Sequence, residues 1–253
     1  VAGGAAGSRA SAITMDTLDY AMVRTISYRA SSYLGANPSP EAKDKTSETH
    51  YDIHLGKGDE VADYSYGFAL NIAGTGVTLK SITLNEYNDT AVAGGAAGSR
   101  ASAITMDTLG YAMVRTVSYK ADEYLGANPS PEIKYKTNET YYDIHLGKGD
   151  EVADYSYNYK YVSGASVVIL TTVYYYGSTT RAGAVTDSGT AMNKSITYRL
   201  TATVTSSSAS GTKYTETFYD EHLEKGSERA KYTLNYKPSG VGVLTTTWYI
   251  YEG

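Results

Sequence analysis

The chain of 253 residues has no cysteine, two phenylalanines and one tryptophan. Without thiols, neither a disulfide nor a cysteine-bound metal can hold it together. That removes one stabilising device of exported proteins and does not exclude export. No apolar run approaches the length a membrane span needs. No excess of either charge stands out: the formal net charge is −5, spread along the chain. With no basic stripe, nucleic acid is not an expected partner. A Gly-x-Ser-x-Gly elbow, a phosphate-binding loop and a nucleotide fingerprint are all missing. No catalytic role is therefore expected. The start, Val1-Ala2-Gly3-Gly4, carries no initiator Met, charged n-region or apolar h-region. It reads as a mature terminus and points to export.

What is present is tyrosine and repetition. Tyrosine occurs 27 times, and Thr, Ser and Val are common. These residues favour strands, and Gly punctuates them. Residues 1–66 return almost unchanged as 92–157: Val1-Ala2-Gly3-Gly4-Ala5-Ala6-Gly7-Ser8-Arg9 becomes Val92-Ala93-Gly94-Gly95-Ala96-Ala97-Gly98-Ser99-Arg100. A diverged third copy follows, in which Phe218-Tyr219-Asp220-Glu221-His222-Leu223 matches Tyr141-Tyr142-Asp143-Ile144-His145-Leu146. A period of about 90 residues is a small domain rather than a solenoid unit. The expected units are 1–90, 91–178 and 179–253. Enzymes seldom need three copies of a site, whereas surface and structural proteins often repeat a module.

Each copy reads as strand throughout. Strands are expected over Ala112–Tyr119, Thr140–Leu146, Val152–Val162 and Val167–Tyr176. Turns are expected at Gly147-Lys148-Gly149-Asp150 and Ser163-Gly164. Pro129 and Pro131 cannot donate to a ladder and mark a loop. Short strands separated by turn signals fit a sandwich. The Leu-x-Lys-Gly-Asp/Ser-Glu turn at Leu55–Glu60, Leu146–Glu151 and Leu223–Glu228 resembles one in the immunoglobulin-like repeat domains of prokaryotic surface proteins. The resemblance implies an all-β chain of three tandem immunoglobulin-like β-sandwich domains, structural or adhesive, and without catalysis.

Tyr155, Tyr157, Tyr159 and Tyr161 alternate onto one strand face. Phe68 and Leu70 take the corresponding slots in the first copy, so the stripe is expected to be core rather than a sugar platform. The consecutive Tyr174-Tyr175-Tyr176 and Trp248-Tyr249-Ile250-Tyr251 must point to both faces. Tyr174, Tyr175, Tyr249 and Tyr251 are thus candidate subunit contacts. Asp-x-His recurs at Asp52/His54, Asp143/His145 and Asp220/His222, and without a third ligand it reads as a polar pair rather than a zinc site. No cofactor is expected. Asp59, Asp63, Asp150 and Asp154 are weak calcium candidates; the third copy reads Ser227, Glu228 and Ala230 there and has no Asp-x-Asp-x-Asp-Gly loop. Asn88, Asn138 and Asn193 open N-glycosylation sequons, so covalent glycans are a candidate modification.

The Gly/Ala-rich segment carries the functional expectation. Residues 92–105 follow the first copy directly and can dock on it. Residues 1–14 are nearly the same peptide with no copy before them. Their contacts, through Val1, Ala2, Ser8, Arg9, Ser11 and Ile13, are then available to the last copy of another molecule. Such a head-to-tail contact gives open filaments unless a ring closes. The expected function is a structural subunit of an extracellular filament or surface lattice, with the chain itself as partner. The alternative is a monomeric cell-surface adhesin or carbohydrate-binding stalk.

Overall fold

A computed structural model of the chain describes residues 20–29, 42–71, 73–88, 98–121, 129–132, 135–177, 180–204, 209–222 and 225–251. Among the described residues each repeat contributes four strands. The first gives β1 (Arg24–Tyr28), β2 (Lys45–Asp52), β3 (Val61–Leu70) and β4 (Val77–Asn88). The second gives β5 (Ala112–Lys120), β6 (Lys136–Asp143), β7 (Val152–Val162) and β8 (Ala165–Tyr176). The third gives β9 (Met192–Val204), β10 (Ala209–Asp220), β11 (Arg229–Tyr236) and β12 (Val243–Trp248). Among the described residues the only helical pieces are short 3-10 turns.

The chain is all-β, as its composition leads one to expect. Its strands form one open antiparallel sheet in the order β1 to β12, each strand beside the next. A row of immunoglobulin-like sandwiches would set two sheets face to face in every repeat. Here pairing runs through both repeat boundaries instead: β4 meets β5 from Ser81↔Lys120 to Asn88↔Ala112, and β8 meets β9 from Leu170↔Arg199 to Tyr176↔Met192. The hairpins follow from turn chemistry. Ser163 and Gly164 both take positive φ, at 49° and 95°, the geometry that lets a tight turn match strand twist.

The core straddles the boundaries. Tyr64, Tyr66, Ile82 and Leu84 pack with Val117 and Tyr119 of the next repeat, and Tyr141, Tyr155 and Val173 pack with Ile196 and Tyr198. Strands of the following repeat thus complete the buried cluster of the one before. Within each repeat one aromatic pair stacks across neighbouring strands: His50 on Tyr64 at 4.6 Å, Tyr141 on Tyr155 at 4.7 Å and Phe218 on Tyr232 at 4.6 Å. The tyrosine stripe is core at its start, where Tyr155 is buried and Tyr157 packs beside it. It ends in solvent at Tyr161.

Candidate functional site

The segment between repeats folds back as a strap onto the repeat before it. Ser99 and Tyr87 exchange two backbone hydrogen bonds of 2.8 Å, and Thr180 and Tyr176 do the same at 2.8 and 3.0 Å. Gly98 lies so close to β4 that an added Cβ would sit 2.8 Å from Val114 Cγ2 and 2.9 Å from the Tyr87 carbonyl. A 3-10 turn follows, Ala101–Ala103 in one strap and Ala182–Ala184 in the other. Its first alanine is completely buried in both straps, and Ile104 and Val185 are buried just beyond. Sealing Ile104 alone stabilises the strap by roughly 2 kcal/mol.

The seat beneath the strap depends on a β-bulge. His50 pairs with Tyr64 and Tyr51 with Ala62, so Asp63 is the extra residue between them. Asp154 holds the same position between Ala153 and Tyr155. A bulge re-aims its side chain, here toward the strap arginine. Arg100 donates from Nε to Asp63 Oδ1 at 2.9 Å, and its Nη2 lies 2.8 Å from Oδ2. Arg181 donates to Asp154 Oδ1 from Nε at 2.9 Å and from Nη2 at 2.6 Å. Burial raises the Asp154 carboxyl against the lowering effect of Arg181. A tyrosine hydroxyl braces the bulge from β4 or its equivalent: Tyr87 to the Ala62 carbonyl at 2.5 Å, Tyr176 to Ala153 at 2.6 Å and Tyr251 to Ala230 at 3.0 Å.

The Asp-x-His pairs close the far end of the strap. His54 Nε2 meets the Ile104 carbonyl at 2.7 Å, while its Nδ1 bonds Asp52. His145 Nε2 meets the Val185 carbonyl at 2.7 Å, with Nδ1 on Asp143. Both ring nitrogens face acceptors, so the imidazolium fits best. The Asp52 bond first, and the Ile104 carbonyl after it, raise His54 above the ordinary histidine range; Asp143 and Val185 do the same for His145. The third copy, His222, bonds Asp220 at 2.5 Å and is exposed, and no described carbonyl caps its Nε2.

The third seat differs in charge. Pairing sets Tyr219 opposite Ala230 and Phe218 opposite Tyr232, which puts Lys231 at the bulge. The counterpart of Asp63 and Asp154 is therefore Lys231 and not Ala230, which aligns with Ala62 and Ala153; the ungapped sequence gives the same correspondence. Arg229 likewise stands where Val61 and Val152 are buried. Lys231 Nζ lies 3.8 Å from Asp220 Oδ1.

The turn glutamates also do one repeated job. Glu60, Glu151 and Glu228 accept from the backbone amides of Met22, Met113 and Met192 at 2.8, 2.9 and 2.9 Å. Each ties the Gly-containing turn to the beginning of its repeat's first strand or, at Met22, to the residues just before it. Gly56, Gly58, Gly147, Gly149 and Gly226 all take positive φ in these turns.

The calcium candidates are largely engaged otherwise. Asp63 and Asp154 hold arginines, Asp150 accepts from Ser188 at 2.6 Å, and Asp59 stays in its glycine turn. Among the described residues no three His, Asp or Glu side chains converge on one point. Tyr174 and Tyr175 lie inside the molecule's own β8–β9 junction, opposite Ser195 and Lys194. Tyr249 and Tyr251 are exposed. Val1, Ala2, Ser8, Arg9, Ser11 and Ile13 lie outside the described residues. The sequon residues Asn88, Asn138 and Asn193 all sit on strands. Asn138 donates to Asn158 Oδ1 at 3.3 Å and accepts from Thr140 at 3.0 Å, and Asn193 bonds the Gly177 carbonyl. No helix among the described residues is long and apolar enough to cross a membrane.

One repeated feature escaped the sequence reading. Glu48, Glu139 and Glu216 are buried in the sheet, each with a lysine three residues earlier, Lys45, Lys136 and Lys213. Arg24, Arg115 and Lys194 reach them from the strand alongside. The repeated Lys-x-x-Glu was the available signal. Burial raises the Glu139 carboxyl, but Tyr159, Lys136 and Arg115 outweigh it and hold it below the usual range. Comparison of the chain with protein-family models, with curated proteins and with solved structures gives no match.

Proposed function

We propose that the chain is a structural subunit that polymerises head-to-tail into an extracellular filament or surface lattice, with no catalytic role. Residues 1–14 dock on the third repeat of a neighbour. The observation that carries this reading is the strap. Residues 98–104 hold the preceding repeat by an ion pair, two buried apolar side chains and a histidine clasp. Arg9-Ala10-Ser11-Ala12-Ile13-Thr14 repeats Arg100-Ala101-Ser102-Ala103-Ile104-Thr105 letter for letter. The first two seats are filled from within the chain. The third keeps the Asp220–His222 pair and the Tyr251 brace. It offers Lys231 where Arg9 would need a carboxylate, so this joint is weaker than the internal ones. A weaker joint between molecules than within them lets subunits fold before they assemble.

The unit of this polymer is the four-stranded repeat; a continuous pairing order gives no support to separate immunoglobulin-like sandwiches. Electron microscopy of untagged chains, with and without residues 1–14, tests the proposal. Polymers from the full chain and dispersed particles from the truncated one are expected. Dispersed particles from both at high concentration would favour an adhesin, for which the exposed Trp248, Tyr249 and Tyr251 are the aromatic candidates.

A further inference from the structure

The two ends of the sheet expose what its two internal joints seal. At the β4–β5 and β8–β9 joints Leu84 and Val173 are 7% and 0% exposed, and at the free end their counterpart Trp248 is 69% exposed. On the other edge, Tyr111 and Met113 pack on the Tyr87 cluster, whereas their counterparts Tyr20 and Met22 stand exposed.

The length of β12 points the same way. β3 pairs with β4 only up to Tyr64↔Leu84, and the remaining residues Asn85 to Asn88 pair with β5, while Tyr87 also meets Ser99 of the strap. β7 likewise stops at Tyr155↔Val173, and Tyr174 to Tyr176 pair with β9, while Tyr176 also meets Thr180 of the second strap. β11 stops at Tyr232↔Trp248, and β12 ends there. Residues Tyr249 to Tyr251 are the stretch that a following strand would pair. Tyr251 is already turned as Tyr87 and Tyr176 are, with its hydroxyl on the Ala230 carbonyl. An edge of unpaired amides and carbonyls is a template for another strand.

We propose that β12 of one molecule pairs antiparallel with β1 of the next, Trp248 opposite Ile26, so that the sheet continues through the polymer. This rests on the homopolymer reading above and adds a second contact to the strap. The register is copied from both internal joints, where Leu84 faces Val117 and Val173 faces Ile196. It also sets Tyr249 opposite Thr25 and Ile250 opposite Arg24. Ile250, 91% exposed in the single chain, then takes the place of Glu86 on Arg115 and of Tyr175 beneath Lys194. A second copy is the natural occupant because the same strands, in the same register, already join one repeat to the next twice in this chain. A contact between unlike edges is heterologous and propagates.

The absence of cysteine makes the test clean. Directly opposed strand residues bring their Cα atoms within disulfide range. Full-length Trp248→Cys and Ile26→Cys chains are mixed under conditions where the wild type polymerises, then oxidised. A covalent dimer from the mixture is expected, and none from either variant alone. The double variant gives a ladder of covalent oligomers, while Leu244→Cys with Ile26→Cys, out of register, gives none. Polymers without the in-register disulfide would overturn sheet continuation and leave the homopolymer standing. A dimer from Trp248→Cys alone would mean β12 pairs with itself, and would overturn it too. Absence of any wild-type polymer would remove both proposals together.

Discussion

At the scale of single residues, the buried glutamates and the bulge position decide most. Glu139 receives Arg115 Nη1 at 2.6 Å and the Tyr159 hydroxyl at 2.5 Å. Glu139→Ala leaves a buried guanidinium short of its partner and is expected to cost about 3 kcal/mol, read as a lower urea midpoint. Glu139→Gln keeps part of the bonding and loses less. The pH dependence has a definite sign. Glu48, Glu139 and Glu216 titrate below the usual 4.5 in the folded chain. Their contribution is present above that value and is lost as pH falls through the lowered values. Urea midpoints should therefore drop on acidification below 4.5, and drop less in Glu139→Gln. Lys231 is the position at which the proposed association can be tested. Lys231→Asp restores the acid of the other two bulges and should strengthen assembly, seen as a lower critical concentration for polymer by light scattering. An unchanged or higher critical concentration would mean that Arg9 does not approach this bulge.

At the scale of elements, the strap is the unit that can come loose. Gly98→Ala forces a Cβ against Val114 and the Tyr87 carbonyl, and should unseat the first strap while leaving the sheet paired. Hydrogen exchange at the Ser99 and Tyr87 amides reads this directly. The histidine clasps add a pH dependence of the opposite sign to that of the glutamates. His54 and His145 are raised above 6.5 in the folded chain. Their contribution is full below that value and fades as pH rises through the raised one. Protection of the Ser99 and Thr180 amides, taken relative to the intrinsic exchange rate at each pH, should thus fall on the alkaline side, and His54→Gln should remove the change at Ser99 only. Much of this element was legible in the sequence. The duplicated Ser99-Arg100-Ala101 run and the Asp-x-His pairs stood out, and β7 falls on the expected 152–162. The seat was not legible. Alternation assigns faces and not neighbours, so the pairing of β4 with β5 left no local trace, whereas docking of the strap on the copy before it was expected from its place between copies. Lys231 itself was legible, since Glu228-Arg229-Ala230-Lys231 aligns without a gap on Glu151-Val152-Ala153-Asp154; what the sequence did not show is that this position is a bulge.

At the scale of the whole molecule, two near-copies and a diverged third join through the same strand pairing. Inside the chain each repeat is sealed by the next; at the ends Tyr20, Met22, Trp248 and Ile250 face solvent. Gly7 is the counterpart of Gly98. Gly7→Ala should therefore block growth of the polymer without lowering the stability of the single chain, a separation that sedimentation and urea melts can show on one sample. The most direct measurement takes the opening segment apart from its chain. A fluorescent peptide of residues 1–14 is titrated with protein lacking those residues, and anisotropy is followed. Saturable binding at one site per chain is expected, lost with a Gly7→Ala peptide and tightened by Lys231→Asp. No saturable binding, or equal binding of the Gly7→Ala peptide, would contradict the claim that the opening segment takes the third repeat's seat.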